Sequence, residues 1–235
     1  AGTALGAATY VAAAAGEAIG PMRHAYLGPA YSTDECLAAC ATHPAQPTFR
    51  RLDDTVTAAA DILAAGHPLA WLQGRMEFGP RALGNRSILG NPSFPGIAER
   101  INAQIKYRER WRPFCPSVSD RVAADLIGTD HPAPYMTFTF DVAPHWKSRV
   151  PEVVHEDGTA RVQIVTADTN PRYHALLDAM AARTGNAVLL NTSLNRRGEP
   201  MVCSPKDALD MFFGCDLEYL IMEDVLVTKA SAAAR

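Results

Sequence analysis

The chain is marked first by what it lacks. Its longest apolar stretch, "AGTALGAATYVAAAAGEAIG", is interrupted by Gly2, Gly6, Gly16 and Glu17 and has no basic leading region. A membrane span needs about 20 consecutive apolar residues, so the stretch reads as neither a span nor a targeting segment. It is predicted to be a buried, Ala-rich helix. Five cysteines, an odd number at loose spacings, give no disulfide framework and point to a reducing cytoplasm. Cys36 and Cys40 share a helix face, but no second Cys or His pair joins them, so they read as a structural pair rather than a zinc site. No H-E-x-x-H or H-x-x-x-H motif and no Ser-His-Asp arrangement stands out, and the seven histidines are scattered. There is no internal repeat.

What is present suits a soluble globular protein of one large domain, or one domain plus a fragment. It has 235 residues, 48% of them hydrophobic and 20% charged, with a net charge of -3. The charge is uneven. Between Gly74 and Arg112, eight cations (Arg75, Arg81, Arg86, Arg100, Lys106, Arg108, Arg110, Arg112) face only Glu77, Glu99 and Glu109. A basic stretch in an acidic chain suggests an anionic ligand rather than general nucleic-acid binding.

The periodicities mix helices and strands, which favours a layered α/β or α+β domain. Ser32 with Glu35 forms a capping-box start for a helix to about Thr42. Asp53 is the expected cap of "DTVTAAADILAA", with Gly66 ending it. "FRRL", "PLAWLQ" and "SILG" read as strands. Ile97, Ile101 and Ile105 keep helical spacing in "GIAERINAQIKYRERW", which sends Lys106 and Arg110 away from that seam. "PFCPSV" is extended, and Trp111, Pro113 and Phe114 should be buried, holding Arg112 beside them. "YMTFTFDV" alternates as a half-buried strand. "GTARVQIVTAD" is a strand with Arg161, Gln163 and Val165 on one face. Asn170 and Pro171 open a helix closed by Gly185, "AVLLNTS" is an apolar strand, and Ser204 and Pro205 start "KDALDMFF". "LEYLIM" and "VLVTK" are further strands.

Four segments carry candidate chemistry. "GPRALGNRS" has the glycine spacing of a P-loop, but Asn85 and Arg86 stand where lysine and a hydroxyl belong, so a Walker site is not expected. Glycine-exposed N–H groups and planar guanidiniums would still suit phosphate, and a surface loop with Arg86 and Glu77 in solvated ion pairs fits equally well. "IKYRERWRPF" supplies Lys106 and Arg112, "GTARVQIV" supplies Arg161, and "VLLNTSLN" delivers Asn191, Thr192, Ser193 and Asn195 at a strand's carboxyl end. Ligands commonly bind there in α/β sheets. Each has a plain structural alternative: a solvated helix end, a cross-strand pair, a polar turn. Asp168 and Glu199 are weak magnesium candidates.

Together "GRMEFGPRALGNRSIL", "IKYRERWRPFCPSV", "PYMTFTFDV", "DGTARVQIV", "NPRYHALL" and "VLLNTSLNRRGEPMVCSPKDAL" closely resemble the C-terminal half of the antibiotic and nodulation O-carbamoyltransferases, tobramycin-type enzymes among them. The resemblance runs from about Gly2 to Lys229. It implies a YrdC-like twisted mixed sheet with flanking helices and a basic concave surface over residues 23–235. Residues 1–22 are implied to be a helical remnant of an actin-like domain. It further implies ATP with Mg2+ and carbamoyl phosphate as ligands, carbamoyl adenylate as product, and a hydroxyl-bearing small molecule as acceptor. By the same resemblance Lys106, Arg161 and Ser193 are catalytic and Arg81, Arg112, Asn191 and Thr192 hold the nucleotide; Arg75 and Arg86 are read as structural or supporting. No metal ligand is matched in this chain. Iron is expected only in the actin-like half, which is the implied partner and is not matched here. Membrane and nucleic-acid partners are not expected. An RNA- or nucleotide-binding module, or a structural partner of a separate N-terminal chain, remains the alternative reading.

Overall fold

Leu69 and Trp71 alternate with Ala70 and Leu72, and that alternation sets the architecture, because both faces of this strand are apolar and both must be covered. The computed structural model describes residues 2–107, 109 and 112–229. Its eight-stranded sheet contains β1 (Thr48–Arg51), β2 (Leu69–Leu72), β3 (Arg86–Gly90), β4 (Cys115–Ser119), β7 (Gln163–Val165), β8 (Val188–Ser193), β9 (Tyr219–Met222) and β10 (Val225–Thr228). The order is β1-β10-β9-β2-β3-β8-β4-β7, with β2/β9 and β4/β7 parallel and the other pairs antiparallel. β5 (Phe140–Asp141) and β6 (Thr159–Ala160) form a separate ribbon.

One face of the sheet presents Leu69, Trp71, Leu89 and Leu189 to α3 (Thr55–Ala64) and α7 (Pro171–Thr184), which pack together there through Ala59, Leu63, Leu176 and Met180. The other presents Ala70, Leu72, Ile88, Val188 and Leu190 to α2 (Thr33–Thr42), α4 (Ile97–Ile101), α5 (Asp120–Ile127) and α8 (Pro205–Phe213). Two further α-helices among the described residues are α1 (Thr3–Ala14) and α6 (Pro144–Lys147). The result is a mixed sheet between two helical layers, the α/β class expected. Cys36 and Cys40 are free thiols buried in the larger core. Among the described residues no helix is long and apolar enough to cross a membrane.

Local signals account for most boundaries. Ser32 accepts from the Glu35 N–H and Glu35 reaches back to Ser32, a complete capping box. Ser204 and Asp207 form a second, and Asn170 caps α7, which Gly185 closes at φ 78°. The cap of α3 is Asp54 rather than Asp53: its carboxylate accepts from the Thr57 N–H at 2.9 Å, three residues on, where a cap must reach.

Four further expectations about the elements are corrected. Helix α1 forms but is not buried; Tyr10 and Val11 stay exposed, and only Leu5, Thr9 and Ala12 are even half-covered. Its alanines have little side chain to bury, so composition alone does not seat it. "YMTFTFDV" is a strand only at Phe140–Asp141, because Met136 takes a left-handed φ of 55° and breaks the extended run, leaving Phe138 exposed. "GTARVQIV" splits into β6 and β7, each paired with a different partner, with Arg161 and Val162 between them. The isoleucine helix ends early. After α4 the backbone widens into a π turn, Asn102–Lys106, closed by Tyr107 in the left-handed region with its N–H on Asn102 O at 2.7 Å. A π turn advances by fewer degrees per residue than an α-helix. Ile97, Ile101 and Ile105 remain buried as expected, but Lys106 turns inward with them. Arg108, Arg110 and Trp111 lie outside the described residues.

Gly84 shows how tightly the basic loop is seated. It sits at φ 100°, and an added Cβ would fall 2.2 Å from the Tyr173 ring. Gly84→Ala should therefore cost roughly 2 kcal/mol or more, from backbone strain and overpacking together, read as a lowered urea midpoint.

Candidate functional site

The loop from Gly74 to Ser87 is built round a buried carboxylate. Glu77 Oε1 accepts from the backbone N–H groups of Leu83 (2.6 Å), Asn85 (2.7 Å) and Arg86 (3.2 Å). Burial raises its pKa, and these donors oppose the rise. The loop is pinned again from outside. Gln73 Nε2 donates to Asn85 Oδ1 (2.6 Å) and Asn170 Oδ1 (2.9 Å), Tyr26 Oη donates to Leu83 O (2.9 Å), and Gln163 Nε2 donates to the same oxygen (2.8 Å).

The three loop arginines divide by role. Arg86 is fully buried, with its guanidinium donating to the carbonyls of Gln73, Gly74, Asn85, Pro29 and Cys203. It is a clamp, and neither it nor Glu77 belongs to a solvated ion pair. Arg75 donates to Leu27 O and Gly28 O from the surface. Arg81 stands exposed at the tip.

Strand β8 carries the second wall. It lies between β3 and β4, and its side chains turn polar at the end, where Asn191 Nδ2 donates to Ser117 Oγ (2.9 Å), Ala82 O (3.2 Å) and Gln163 Oε1 (3.2 Å). The bond to Ala82 fixes the backbone beside Arg81. Thr192 and Ser193 follow, half-buried. Arg81, Arg161, Asn191, Thr192 and Ser193 then line one cleft of about 100 Å³, floored by Phe114, Cys115 and Met136. Arg161 Nη2 donates to Cys115 Sγ at 3.0 Å, while its buried Nε has no hydrogen-bond partner among the described residues. Partial enclosure lowers the pKa of Arg81, and repulsion from Arg161 and Arg112 lowers it further. Guanidiniums held against their own repulsion bind an anion with gain on every side.

Lys106 lies under this strand end. Its Nζ donates to Ser193 O (2.5 Å), Asn195 Oδ1 (2.8 Å), Asn195 O (3.0 Å) and Ser193 Oγ (3.2 Å). Ser193 Oγ donates to Asn195 Oδ1 at 2.6 Å, and Asn195 Nδ2 donates to Glu199 O at 2.7 Å. Lys106 therefore orders the hydroxyl end of β8 and puts a positive charge behind it. Arg112 is exposed rather than held, on the wall of an adjoining cavity of about 750 Å³. That cavity meets the cleft at Pro113 and Phe114 and carries Glu99, Glu152, Glu156 and Asp157. Among the described residues the cations thus concentrate at the cleft, while the larger cavity beside it carries mostly carboxylates.

Residues 60–229 match the family model described as carbamoyltransferase C-terminus. The chain belongs to that family. Its relatives include nodulation protein NolO of Bradyrhizobium diazoefficiens, 40% identical over 99% of this chain and 44% of that protein. Another is the uncharacterized protein sll1178 of Synechocystis, 38% identical over 91% of this chain and 38% of that one. The chain thus spans less than half the length of these two relatives. Among solved structures, HypF of T. kodakarensis is similar over 78% of this chain and 25% of that one, with a TM-score of 0.49 and 14% identity.

For this carbamoyltransferase C-terminus chain, the residues expected from the motifs assemble in part. Five share the cleft, Lys106 stands behind it, and Arg112 is at its outer edge. Three further residues shape the site without having been expected there: Glu77 inside the loop, and Gln163 and Ser117 on the strands beside Asn191. Gln163 had a visible signal, since it stands two residues from Arg161 in the alternating run "GTARVQIV". Glu77 had none, because a lone acid among arginines reads as a surface ion pair. The magnesium candidates are engaged elsewhere: Asp168 accepts from Thr166 Oγ1 and Glu199 pairs with Arg196. Among the described residues no three His, Cys, Asp or Glu side chains gather as a metal site. The cleft's donor set is cationic, so Mg2+ fits only as a companion of phosphate oxygens and water.

Proposed function

We propose that this chain forms carbamoyl adenylate from ATP and carbamoyl phosphate. The observation that carries the reading is the convergence of Arg81, Arg161 and the Asn191–Ser193 strand end on one small cleft, with Lys106 behind Ser193. Water converts carbamoyl phosphate to carbamate and inorganic phosphate. A carbamate oxygen then attacks the α-phosphorus of ATP, the α–β bridging P–O bond breaks, and pyrophosphate leaves. Each step crowds anions, and fixed guanidiniums both lower that repulsion and stabilise charge on the leaving group. The Asn191 and Thr192 side chains and the Ser193 hydroxyl are suited to orient the carbamoyl group. Mg2+ would accompany the triphosphate. For the longer protein, we propose delivery of the carbamoyl group to a hydroxyl of a small-molecule acceptor, with the iron-bearing actin-like domain as partner.

The test is direct. The purified chain is incubated with ATP, Mg2+ and carbamoyl phosphate, and pyrophosphate is measured. Release that depends on carbamoyl phosphate is the expected result. No release from a chain whose circular dichroism and cooperative melt show it folded would overturn adenylate formation by this chain alone.

A further inference from the structure

Cys115 lines the cation cleft together with Arg81 and Arg161, and it differs from the other four cysteines. Burial pushes the thiols of Cys36 and Cys40 up to about 12 and about 11, and raises that of Cys215. Those three are withdrawn from thiolate chemistry. Cys203 is half-covered, and the guanidinium near it, that of Arg86, is spent on backbone carbonyls. Cys115 instead has a guanidinium on the sulfur itself, since Arg161 Nη2 donates to Sγ at 3.0 Å. The charge of Arg81 reaches the same thiol. Cys115 is 5% exposed, less than Cys203, so access alone does not favour it.

An independent side chain marks a place for a small guest beside that sulfur. Asn191 lies directly opposite Cys115 in the β4/β8 pairing, so the two share one face of the sheet, with Cβ atoms about 5 Å apart. It is 2% exposed and lines the cleft. Its Nδ2 is fixed by Ser117, Ala82 and Gln163, which leaves Oδ1 as an acceptor with no partner among the described residues. A buried acceptor of this kind fits a donor brought by a guest. Hydrogen peroxide carries a hydroxyl at each end, and each can donate and accept. A water-sized molecule takes roughly 30 Å³, so the cleft of about 100 Å³ admits it.

We infer that Cys115 is a peroxide-reactive thiol whose oxidation closes the cation cleft to phosphate anions. The inference goes beyond the nucleotide reading and needs only the cleft's cations. The sulfur, as thiolate, attacks one peroxide oxygen. An S–O bond forms, the O–O bond breaks, and hydroxide leaves with the electron pair and takes up the proton the thiol gave away. Sulfur is oxidised by two electrons, the peroxide is reduced by two, and the products are a sulfenic acid and water. The guanidiniums stabilise the departing hydroxide. The added oxygen then accepts from Arg161 where a phosphate oxygen would. The cleft is lined by no second cysteine, so the sulfenic acid is not resolved within it. A small thiol restores the site: one molecule displaces water to give a mixed disulfide, and a second releases Cys115.

The experiment treats the reduced whole chain with hydrogen peroxide and dimedone, which traps sulfenic acid, and follows each cysteine by peptide mass spectrometry. Cys115 should be labelled at least about tenfold faster than Cys203. Arg161→Ala opens the cleft, so a reaction governed by access would speed up; the expected result is labelling of Cys115 about tenfold slower. Calorimetry with inorganic tripolyphosphate reads the closure. Peroxide should weaken its binding about tenfold, and dithiothreitol should restore it. Cys115→Ser should change less than about twofold from its own untreated affinity under the same treatment. Cys203 labelled as fast as Cys115, or Arg161→Ala unchanged or faster, would overturn the reactive thiol. Labelled Cys115 with unchanged tripolyphosphate affinity, or a reduced wild type that binds no tripolyphosphate, would overturn the closure.

Discussion

Arg86→Met should destabilise the protein by about 3–5 kcal/mol, the largest loss expected from any single loop substitution. The side chain is wholly enclosed, and its guanidinium gathers five backbone carbonyls from four separate segments, at 2.9 Å to Gln73 and Asn85, 3.1 Å to Cys203, 3.2 Å to Gly74 and 3.3 Å to Pro29. Methionine fills similar space but withdraws the guanidinium from all five carbonyls, of which Asn85 O and Pro29 O keep backbone donors from Gln73 and Met76, and it removes the cation facing buried Glu77. Lysine is a poor replacement, since one ammonium cannot span a planar fork. Arg75→Ala is the control: it gives up two surface carbonyl bonds and should cost no more than about 1 kcal/mol. Urea unfolding of both variants is the measurement. An Arg86→Met loss as small as that of Arg75→Ala would refute the clamp.

Arg161→Ala should lower carbamoyl-phosphate-dependent pyrophosphate release by about 10²–10³-fold, the range found when one preorganised donor to developing charge is deleted. Arg161 lines the cleft, its Nε has no partner among the described residues, and among them its guanidinium donates to Cys115 Sγ. It is therefore committed to little besides the cleft, and thermal stability should change little. Arg81→Ala, at the exposed tip, should act mainly on KM, by about tenfold. Release that survives Arg161→Ala within a factor of three would place the chemistry elsewhere.

The sequence made some parts of this molecule legible and hid others for identifiable reasons. Capping boxes at Ser32 and Ser204 and the Asn170–Pro171 start of α7 are local chemistry, so they could be read residue by residue. Strand β8 was equally plain, since an apolar run closing on Asn-Thr-Ser reads as a strand with a polar end. Lys106 was misread because three isoleucines at helical spacing fit α4 and its π turn alike, while the lysine's direction depends on which one follows Ile101. The alternation in "YMTFTFDV" misled for the converse reason: one left-handed residue, Met136, cancels a two-residue period. The arginines were visible as a group, but their division into clamp, strut and exposed tip depends on carbonyls that arrive from Pro29 and Cys203. No window on the sequence contains those contacts.

The strand order carries a consequence for how the protein comes to be folded. β2, in the middle of the sheet, has β9 as a parallel neighbour, and β1 pairs Thr48 with Thr228. Residues near 70 therefore wait for residues near 220, and a ribosome must deliver that later segment before the sheet can close. Pairings this distant in sequence are slow to form, and the waiting strands stay open to wrong partners meanwhile. The cleft inherits this timing. Its walls come from residues 81, 161 and 191–193, so it exists only once the last third of the sheet has been laid down.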